Sequence, residues 1–382
     1  MTQTMIVSFR RGEVLGVFAA VGLLFSLHIS PRSVPPQAKG SDLPFEAKPW
    51  VEADQFFRKD HLWLGGDVAY SVDLGRGRVL WLFGDSFIAS KPNEKRSQAK
   101  MVHNSIGIEN GYNPEQSSVK FYWSVVNNQP TEFLSDGGEG WLWPEDGVRL
   151  GDKLLLFFVR VRPDSGKDSL GFQLFGWAAF LVENPDAEPS AWRVHRVDAL
   201  DNPWHVIVGT AVWRADSFLY VFGSAEPSHD GYLMRWPISA AASGNLFSPE
   251  WWCGPASGWV RQDKIAHAPA AAIPGGSSEF SVQWDSRRNR FLAIESVGFG
   301  PSEIAIRWAE QLEGPWSSPR KIYRPPESDR RDAFVYAAKG HRELHGADLV
   351  ITYVANSMED SVLAEDMSIY YPRFVRLNFQ SK

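Results

Sequence analysis

The chain has 382 residues, a formal net charge of -6 and a single cysteine, Cys253. The acidic balance, without any basic stripe, argues against nucleic acid as a partner, and one cysteine excludes an internal disulfide. A hydrophobic fraction of 44% is ample for a core. The 17 tryptophans and 24 phenylalanines favour β-strands, because aromatic side chains pack well on a pleated surface.

The first 50 residues differ in composition from the rest of the chain. Two arginines precede an apolar run from Val14 to Ile29, a pattern typical of a signal peptide or a short membrane anchor. The proline-rich, polar stretch that follows is typical of a linker. We therefore expect an exported protein, periplasmic, extracellular or anchored facing outside, that meets a membrane only through its N-terminal segment. The predicted bounds are a signal peptide or anchor over residues 1–30, a linker over 31–50 and a folded domain over 51–382.

The first predicted element of the folded domain is a β-hairpin. Two strand-like runs flank a Gly-Arg-Gly loop at residues 75–77. With that loop, Leu74 pairs with Arg78, and Asp67 falls opposite Asp85. Facing carboxylates about 5 Å apart repel each other, so that one holds a proton while the other stays ionised. Such a pair is typical of the acid and base of glycoside hydrolases.

Four more hairpins of the same kind follow along the chain, each with a polar turn before a strongly apolar strand. Their start strands recur every ~55–80 residues, which suits blades of four strands better than solenoid repeats. We therefore predict an all-β fold, a five-bladed β-propeller, with a six-bladed propeller or a β-sandwich as alternatives. The later turns are predicted at residues 151–152, 214–216, 285–289 and 343–346.

Acidic residues occupy equivalent places in three of these hairpins. Counting six residues back from each turn gives Asp67, Glu145 and Glu279, which a propeller would bring to one mouth of its central channel. We predict catalytic roles for Asp67, Asp85 and Glu145. Asp146 is an equal competitor for the place of Glu145, and Glu279 suits a binding or supporting role better.

Polar and aromatic side chains near the same mouth are candidate ligands for a sugar. Asn104 offers a donor and an acceptor to hydroxyl groups, although a structural turn residue fits the same pattern. Tyr371 lies where the last strand is predicted to begin, and it would equally serve to close the ring. The predicted substrate-binding residues are His103, Asn104, Trp143, Asp146, Glu279 and Tyr371.

Several catalytic motifs are absent from the sequence. It has no Gly-x-Ser-x-Gly elbow, no phosphate-binding glycine loop and no His-Glu-x-x-His zinc motif. We predict no metal site and no cofactor, and no oxygen-ligand loop is specific enough to predict a structural cation in the channel. The remaining functions are acid/base chemistry and binding alone.

The first hairpin also resembles a known family. Residues 65–71 follow the pattern Gly-x-Asp-x-x-Tyr-Ser, residues 81–86 follow Trp-x-Phe-Gly-Asp-Ser, and an Asn-Ser pair follows at residues 104–105. In this order the segment, about one blade, resembles a domain-of-unknown-function family of five-bladed propellers that includes the mycobacterial endo-D-arabinanases. The resemblance implies a glycosidase fold with Asp67 and Asp85 in the catalytic positions, and it does not transfer the substrate.

These observations together predict one function and two alternatives. We expect a monomeric, exported glycoside hydrolase that acts on a furanose-containing, arabinan-like polysaccharide. The first alternative is a non-catalytic carbohydrate-binding propeller at the cell surface. The second is a scaffold for protein interactions, which would present a flat apolar face and no acidic pocket.

Overall fold

The computed structural model of the protein describes residues 44–166, 171–298 and 300–380. The segment 1–30 and most of the predicted linker lie outside these residues. Strands dominate the described chain, which confirms the all-β prediction. No helix within the described ranges is long and apolar enough to cross a membrane.

The described residues form five sheets of four or more strands, and each sheet begins at one of the hairpins expected from the sequence. We number them sheets 1 to 5 in chain order. Sheet 1 contains Tyr70–Gly75, Arg78–Phe83, Ser105–Asn110 and Ser118–Tyr122, and sheet 2 contains Trp141–Leu150, Lys153–Pro163, Phe172–Val182 and Val194–Arg196. Sheet 3 contains Val206–Ala215, Phe218–Ala225, Asp230–Pro237, Glu250–Trp252, Trp259–Arg261 and Ala271–Ile273, and sheet 4 contains Phe280–Asp285, Arg290–Val297, Glu303–Ala309 and Arg320–Tyr323.

Sheet 5 joins the two ends of the described chain. Its strands Phe334–His341, Leu349–Asn356 and Arg373–Phe379 pair in order, and Phe45–Pro49 adds an outer strand beside the last of them. This outer strand lies within the segment predicted as linker, so the domain begins at residue 45 rather than 51. Proline is tolerated at the end of an edge strand, which is why Pro49 does not prevent pairing.

The first strands of the five sheets lie side by side around a common axis. Each contacts the first strand of the next sheet, and sheets 5 and 1 meet through a 2.6 Å hydrogen bond between His341 Nδ1 and Ser71 Oγ. A closed ring of antiparallel meanders is a propeller-like arrangement, in which the first strands line a central channel.

Buried apolar side chains fill the space between neighbouring sheets. Leu80 and Leu82 of sheet 1, for example, pack with Leu154 and Leu156 of sheet 2. The aromatic richness of the sequence largely serves this packing. Tryptophans are prominent among the largest fully buried side chains: Trp50, Trp63, Trp81, Trp143, Trp236 and Trp251.

Short elements connect the large sheets. A small three-stranded sheet contains Trp63–Gly66, Ser86–Ile88 and Lys100–Val102, and two pairs of strands are formed by Ser124–Val126 with Gln129–Thr131 and by Asp198–Ala199 with Asn245–Leu246. The α-helices are Ile238–Ala242 and Asp360–Glu365, and the 3₁₀ turns are Ala53–Arg58, Arg96–Gln98, Pro189–Ala191, Gln262–Lys264 and Pro326–Asp329.

Candidate active site

The first hairpin forms in the predicted register but with a tighter turn. Beyond the turn, its strands pair as expected from the sequence. At the turn, Gly75 pairs with Arg78, so the loop has two residues rather than three. Arg76 and Gly77 have φ values of 56° and 76°, and positive φ at both positions is what a type I′ turn requires.

Asp67 and Asp85 lie where this hairpin passes from one sheet into another. Toward the turn the strands belong to sheet 1, whereas Gly66 and Ser86 pair in the small sheet. At the break, the backbone N–H of Gly84 donates to the carbonyl of Asp67 at 3.1 Å. Residues 66 and 86 are directly paired, and the charge of Asp85 acts on Asp67, so the two aspartates lie close together at this break.

The backbone around Asp67 is irregular. Directly after it, Val68 and Ala69 have φ values of 62° and 53°, which are rare for residues with a Cβ and cost about 1–3 kcal/mol each. The first strands of sheets 2, 3 and 5 are bulged at residues 144–147, 208–211 and 336–339. Bulges re-aim side chains and are frequent beside active sites.

The Asp67 carboxyl group is almost completely buried, with 2% of the residue exposed. Its Oδ2 accepts hydrogen bonds from the hydroxyls of Tyr336 at 2.9 Å and Tyr370 at 3.4 Å, while Oδ1 has no partner among the described residues. Burial, followed by the charge of Asp85, raises the pKa of Asp67 well above its usual range. Asp67 therefore keeps its proton to a higher pH than an exposed aspartate does.

Asp85 is fully buried in a different environment. Its Oδ1 accepts hydrogen bonds from Trp143 Nε1 at 2.8 Å and from His103 Nδ1 at 3.0 Å. Its Oδ2 has no partner within the described part of the chain. The His103 ring is half-buried and stacks on Trp141, with centroids 4.4 Å apart. Donors aimed at a carboxylate stabilise its negative charge, so the two aspartates lie in different electrostatic environments.

Two further acids lie deeper in the channel. Glu145 Oε2 accepts a 2.7 Å hydrogen bond from the Tyr70 hydroxyl, and Lys339 Nζ lies 3.5 Å from Glu279 Oε2. Burial raises the pKa of Glu145 to about 8. The charge of Glu279 raises the pKa of both Asp67 and Glu145. The three acids found by counting back from the turns therefore share one electrostatic environment.

Asp146 has a role distinct from that of its neighbour Glu145. Its Oδ1 accepts the backbone N–H of Gly147 at 2.7 Å, and its Oδ2 accepts that of Val212 in sheet 3 at 2.8 Å. Burial raises its pKa to about 7. Both oxygens accept backbone N–H groups, so Asp146 links sheets 2 and 3, whereas Glu145 accepts a tyrosine hydroxyl.

Asn104 was predicted to bind the substrate, but its side chain is hydrogen-bonded to a neighbouring loop. Its amide nitrogen donates to the carbonyls of Leu134 and Leu142 at 2.9 and 3.0 Å, and its oxygen accepts the Leu134 N–H at 2.8 Å. A buried amide with these three bonds has little left for a sugar. Asn104 instead holds the segment that leads into Trp141 and Trp143.

Trp143 was predicted to bind the substrate, but it is a buried hydrogen-bond donor to Asp85. The residue is 2% exposed, and its ring packs edge-on against Phe172 at 4.8 Å. Trp63 is fully buried as well. The contribution of Trp143 to the site is its N–H group on Asp85.

Tyr371 was also predicted to bind the substrate, but its neighbour Tyr370 is the residue that contacts Asp67. The Tyr371 ring lies under the guanidinium of Arg58 at 3.9 Å, within the apolar cluster that also contains Trp63. Tyr370 is the tyrosine that reaches Asp67, and it also donates to the Asp85 carbonyl at 2.9 Å. The last strand begins only at residue 373, so strand alternation does not set which of the two tyrosines faces the site.

Four residues of the site were not among the predicted ones: Tyr70, Tyr336, Lys339 and Tyr370. Tyr70 was visible in the sequence, since it is the tyrosine of the Gly-x-Asp-x-x-Tyr-Ser pattern. Tyr336 and Tyr370 contact Asp67 from more than 260 positions away in the chain, and Lys339 contacts Glu279 from 60 positions away, so no local pattern marks them.

The far end of the channel opens into a polar cavity, which we call the rear pocket. His341 lies there, and burial lowers its pKa to about 3. Its ring is held by Ser71 and by Thr352 at 2.6 and 2.7 Å. The rear pocket is lined by Ser71, Asp146, Ser281, Gln283, His341 and Glu343, together with Lys339 at its inner end.

The fold and the site define a class: all-β, propeller-like domains with paired carboxylates buried at one end of a channel. Within that class, the chain belongs to the DUF5005 family, described as a domain of unknown function, whose profile matches residues 52–379. A domain-of-unknown-function family is what the sequence resemblance implied, and the link to endo-D-arabinanases stays a prediction. No curated protein matches the sequence.

Similar solved structures have low sequence identity to this chain. A candidate hydrolase from Bacteroides ovatus ATCC 8483 is 16% identical, with a TM-score of 0.69 over 92% of this chain and 97% of that chain. The catalytic domain of a Coprinopsis cinerea GH62 alpha-L-arabinofuranosidase is 12% identical, with a TM-score of 0.45 over 89% and 97% of the two chains. The first of these shows the same overall fold.

Proposed function

We propose that this protein is a glycoside hydrolase in which each large sheet is one blade of a five-bladed propeller and Asp67 and Asp85 act on the glycosidic bond. The observation that carries the proposal is the unequal environment of two facing, buried carboxyl groups. Burial and the Asp85 charge raise the pKa of Asp67 well above its usual range, whereas Asp85 receives two hydrogen-bond donors. Unequal carboxyl groups are how acid and base roles are divided.

The roles of the two residues follow from their free oxygen atoms. Asp67 Oδ2 accepts the Tyr336 hydroxyl at 2.9 Å and lies 3.4 Å from the Tyr370 hydroxyl, whereas Oδ1 has no partner among the described residues. We therefore place the proton on Oδ1, from which it can reach the leaving oxygen of the sugar. Asp85 Oδ2 carries the free lone pairs and acts as base or nucleophile. Glu145 and Glu279 support the pair from the channel.

The substrate we propose is a neutral polysaccharide rich in furanose units, of the arabinan type. Acidic groups outnumber cations around the channel, where Lys339 is paired with Glu279, and an anionic sugar would meet repulsion there. The resemblance of the first hairpin to endo-D-arabinanases supports a furanose. Export through the N-terminal segment and action as a monomer belong to the same proposal.

The test is hydrolysis by the exported domain of a panel of arabinans, fructans and galactans, with products separated by chromatography. Asp67→Asn and Asp85→Asn should each lose at least ~10³-fold in rate, as expected when an acid or a nucleophile is removed. Asp186→Asn, which alters an exposed aspartate paired with Arg149, is the matched control and should retain full activity. A folded, fully active Asp67→Asn protein would contradict the assignment.

A second candidate is a carbohydrate-binding propeller without catalysis. It is favoured by the burial of the two unpartnered oxygens, Asp67 Oδ1 and Asp85 Oδ2, because a hydrolase has to bring both to its substrate. This candidate predicts glycan affinity in calorimetry with no product after prolonged incubation. Both aspartate variants would then bind as well as the wild type.

A further inference from the structure

Tyr370 occupies a strained place in the chain. It lies between the helix Asp360–Glu365 and the strand Arg373–Phe379, with a φ of 64°. From there its hydroxyl donates to the Asp85 carbonyl at 2.9 Å and lies 3.4 Å from Asp67 Oδ2. A residue with a side chain keeps such a conformation only where its surroundings impose it. The contacts that hold this segment therefore decide where the hydroxyl lies.

A single buried arginine, Arg96, holds the segment through its backbone. The residue is 2% exposed, and its guanidinium group donates hydrogen bonds of 2.5–2.9 Å to four carbonyl oxygens, those of Leu64, Leu363, Asp366 and Ile369. Ile369 directly precedes Tyr370, and Leu64 lies shortly before Asp67. One planar group therefore joins the backbone that leads to Asp67 to the backbone that carries Tyr370.

The two joined segments are also in direct contact. A Cβ added at Gly65 would lie 2.1 Å from the carbonyl oxygen of Tyr370 and 3.4 Å from Arg96 Nη2. The φ of Gly65 is 115°, which residues with a side chain rarely adopt. The backbone at residue 65 thus passes against that at residue 370, beside the guanidinium group, so a movement of one segment displaces the other.

The hydrogen bonds of Arg96 go to carbonyl groups, and it forms no ion pair with a carboxylate within the described ranges. Burial lowers the pKa of Arg96 to about 10, because a buried charge without an opposite charge is costly. A guanidinium group offers five N–H donors in a fixed plane, whereas the ammonium group of lysine is a compact charge on a flexible stem. The shape of the arginine, rather than its charge, suits this place.

We propose that Arg96 is a positioning residue that holds the Tyr370 hydroxyl against Asp85 and Asp67 by fixing the two backbone segments to each other. The catalytic consequence rests on the proposed function. Tyr336 provides an internal reference, because it reaches Asp67 from a strand of sheet 5 to which Arg96 donates no hydrogen bond in the described part of the chain. Loss of Arg96 should therefore release Tyr370 and leave Tyr336 in place.

The first test is a crystal structure of the full-length Arg96→Lys protein beside that of the wild type. Lysine keeps the charge but cannot reach four carbonyl groups in one plane. The distance from the Tyr370 hydroxyl to the Asp85 carbonyl, now 2.9 Å, should increase beyond about 3.5 Å, outside hydrogen-bond range. The 2.9 Å bond between Tyr336 and Asp67 should remain. A Tyr370 hydroxyl that stays bonded to Asp85 overturns the proposal.

The second test is a double-mutant cycle on the substrate found above. Arg96→Lys and Tyr370→Phe should each lower kcat about 3- to 10-fold and leave KM within about twofold, as expected for the loss of one hydrogen bond. If Arg96 acts through Tyr370, the double variant should match Tyr370→Phe alone. Losses that add in the double variant would overturn the proposal, since Arg96 would then act on the site by another route.

Should Arg96→Lys fail to fold, Arg96→Ala with free guanidinium provides the same test. Guanidinium chloride, at concentrations well below those that unfold the protein, should restore both the near-ultraviolet circular dichroism and kcat of Arg96→Ala. Sodium chloride at equal ionic strength should restore neither, and equal effects of the two salts would overturn the proposal. In Arg96→Ala/Tyr370→Phe, guanidinium should restore the fold without raising kcat above that of Tyr370→Phe.

Arg307 provides the matched control, as a second buried arginine. It is 6% exposed, and it donates to Glu295 Oε1 at 2.6 Å and to the Gly275 carbonyl at 2.7 Å. Arg307→Lys should lower the melting temperature yet leave kcat and the bond from Tyr370 to Asp85 unchanged. An equal loss of kcat in this control would attribute the effect of Arg96→Lys to stability alone, against the proposal.

The outcomes distinguish this inference from the proposed function. If the Tyr370 hydroxyl leaves Asp85 in Arg96→Lys but the wild type hydrolyses no glycan, the proposed function fails while the positioning of Tyr370 by Arg96 stands. If the wild type is active and the hydroxyl of the variant stays in place, the inference fails while the proposed function stands.

Discussion

The two ends of the central channel are built from the same first strands but have opposite chemistry. At the mouth, Asp67 and Asp85 each keep one oxygen without a partner and lie beside a strained backbone. At the rear pocket, His341 is neutral and both of its ring nitrogens are held by hydroxyl groups. Buried oxygen atoms without a partner among the described residues occur at the rear as well, on Gln283 and Glu343, so the mouth is distinguished by its two aspartates and by the strained backbone beside them.

Two glycines at opposite ends test this contrast most sharply. A Cβ at Gly84 would collide with Asp67 Oδ1, whereas a Cβ at Gly340 would lie 2.6 Å from the Gln283 amide oxygen, the flexible end of a side chain. Gly84→Ala should displace the acid and lower kcat/KM at least ~100-fold, since small misplacements are costly. Gly340→Ala should retain activity within about threefold. Both are measured with the same substrate, and equal losses would refute the division between the two ends.

The position of the mouth was predictable because it depends on short-range rules. A Gly-Arg-Gly turn between apolar runs fixes the register of the first hairpin, and the register alone brings Asp67 opposite Asp85. Even the error in loop length left this pairing intact, because one extra residue, Leu74, is absorbed between the paired residues Asp73 and Gly75. Local patterns of this kind can be recognised without knowing the rest of the fold.

The partners of the two aspartates were not predictable for a physical reason. Tyr336 and Tyr370 reach Asp67 across 269 and 303 positions of the chain, and each lies at or beside a positive φ, at Ala337 and Tyr370. At such points, successive side chains no longer alternate between the two faces of a strand. The outer strand Phe45–Pro49 was missed likewise, since it pairs with a strand more than 300 residues later.

The hydrogen bond from Trp143 to Asp85 offers the next test. Trp143→Phe keeps an aromatic ring but removes the donor at 2.8 Å, and a bond to a charged group contributes about 1.5–3 kcal/mol, so kcat should fall ~10- to 100-fold. Trp177→Phe in the same sheet is the control, because the Trp177 N–H is buried without a partner. Steady-state kinetics should show a loss in the first variant only.

The two tyrosines on Asp67 should differ in strength. Both hydrogen bonds lower the pKa of Asp67, so removing either raises it and moves the alkaline limb of kcat to higher pH. Tyr336→Phe, which deletes the 2.9 Å bond, should shift the limb more than Tyr370→Phe, which deletes the 3.4 Å bond. Profiles that move to lower pH would contradict the proton-donor role of Asp67.

The smallest expected effect is on stability, to which Glu145 and His341 should contribute with opposite dependence on pH. Glu145 has a pKa of about 8 in the folded protein, above its unfolded value, so it weakens stability as pH rises from about 4.5 to 8. His341 has a pKa of about 3, below its unfolded value, so it weakens stability as pH falls from about 6.5 to 3.

Glu145→Gln should flatten the alkaline side of a plot of melting temperature against pH, and His341→Gln the acid side, each by a few degrees. Because the slopes are compared within each variant, a general loss of stability in either protein does not obscure the result, and a slope unchanged by Glu145→Gln would mean that this carboxyl group is ionised in the channel.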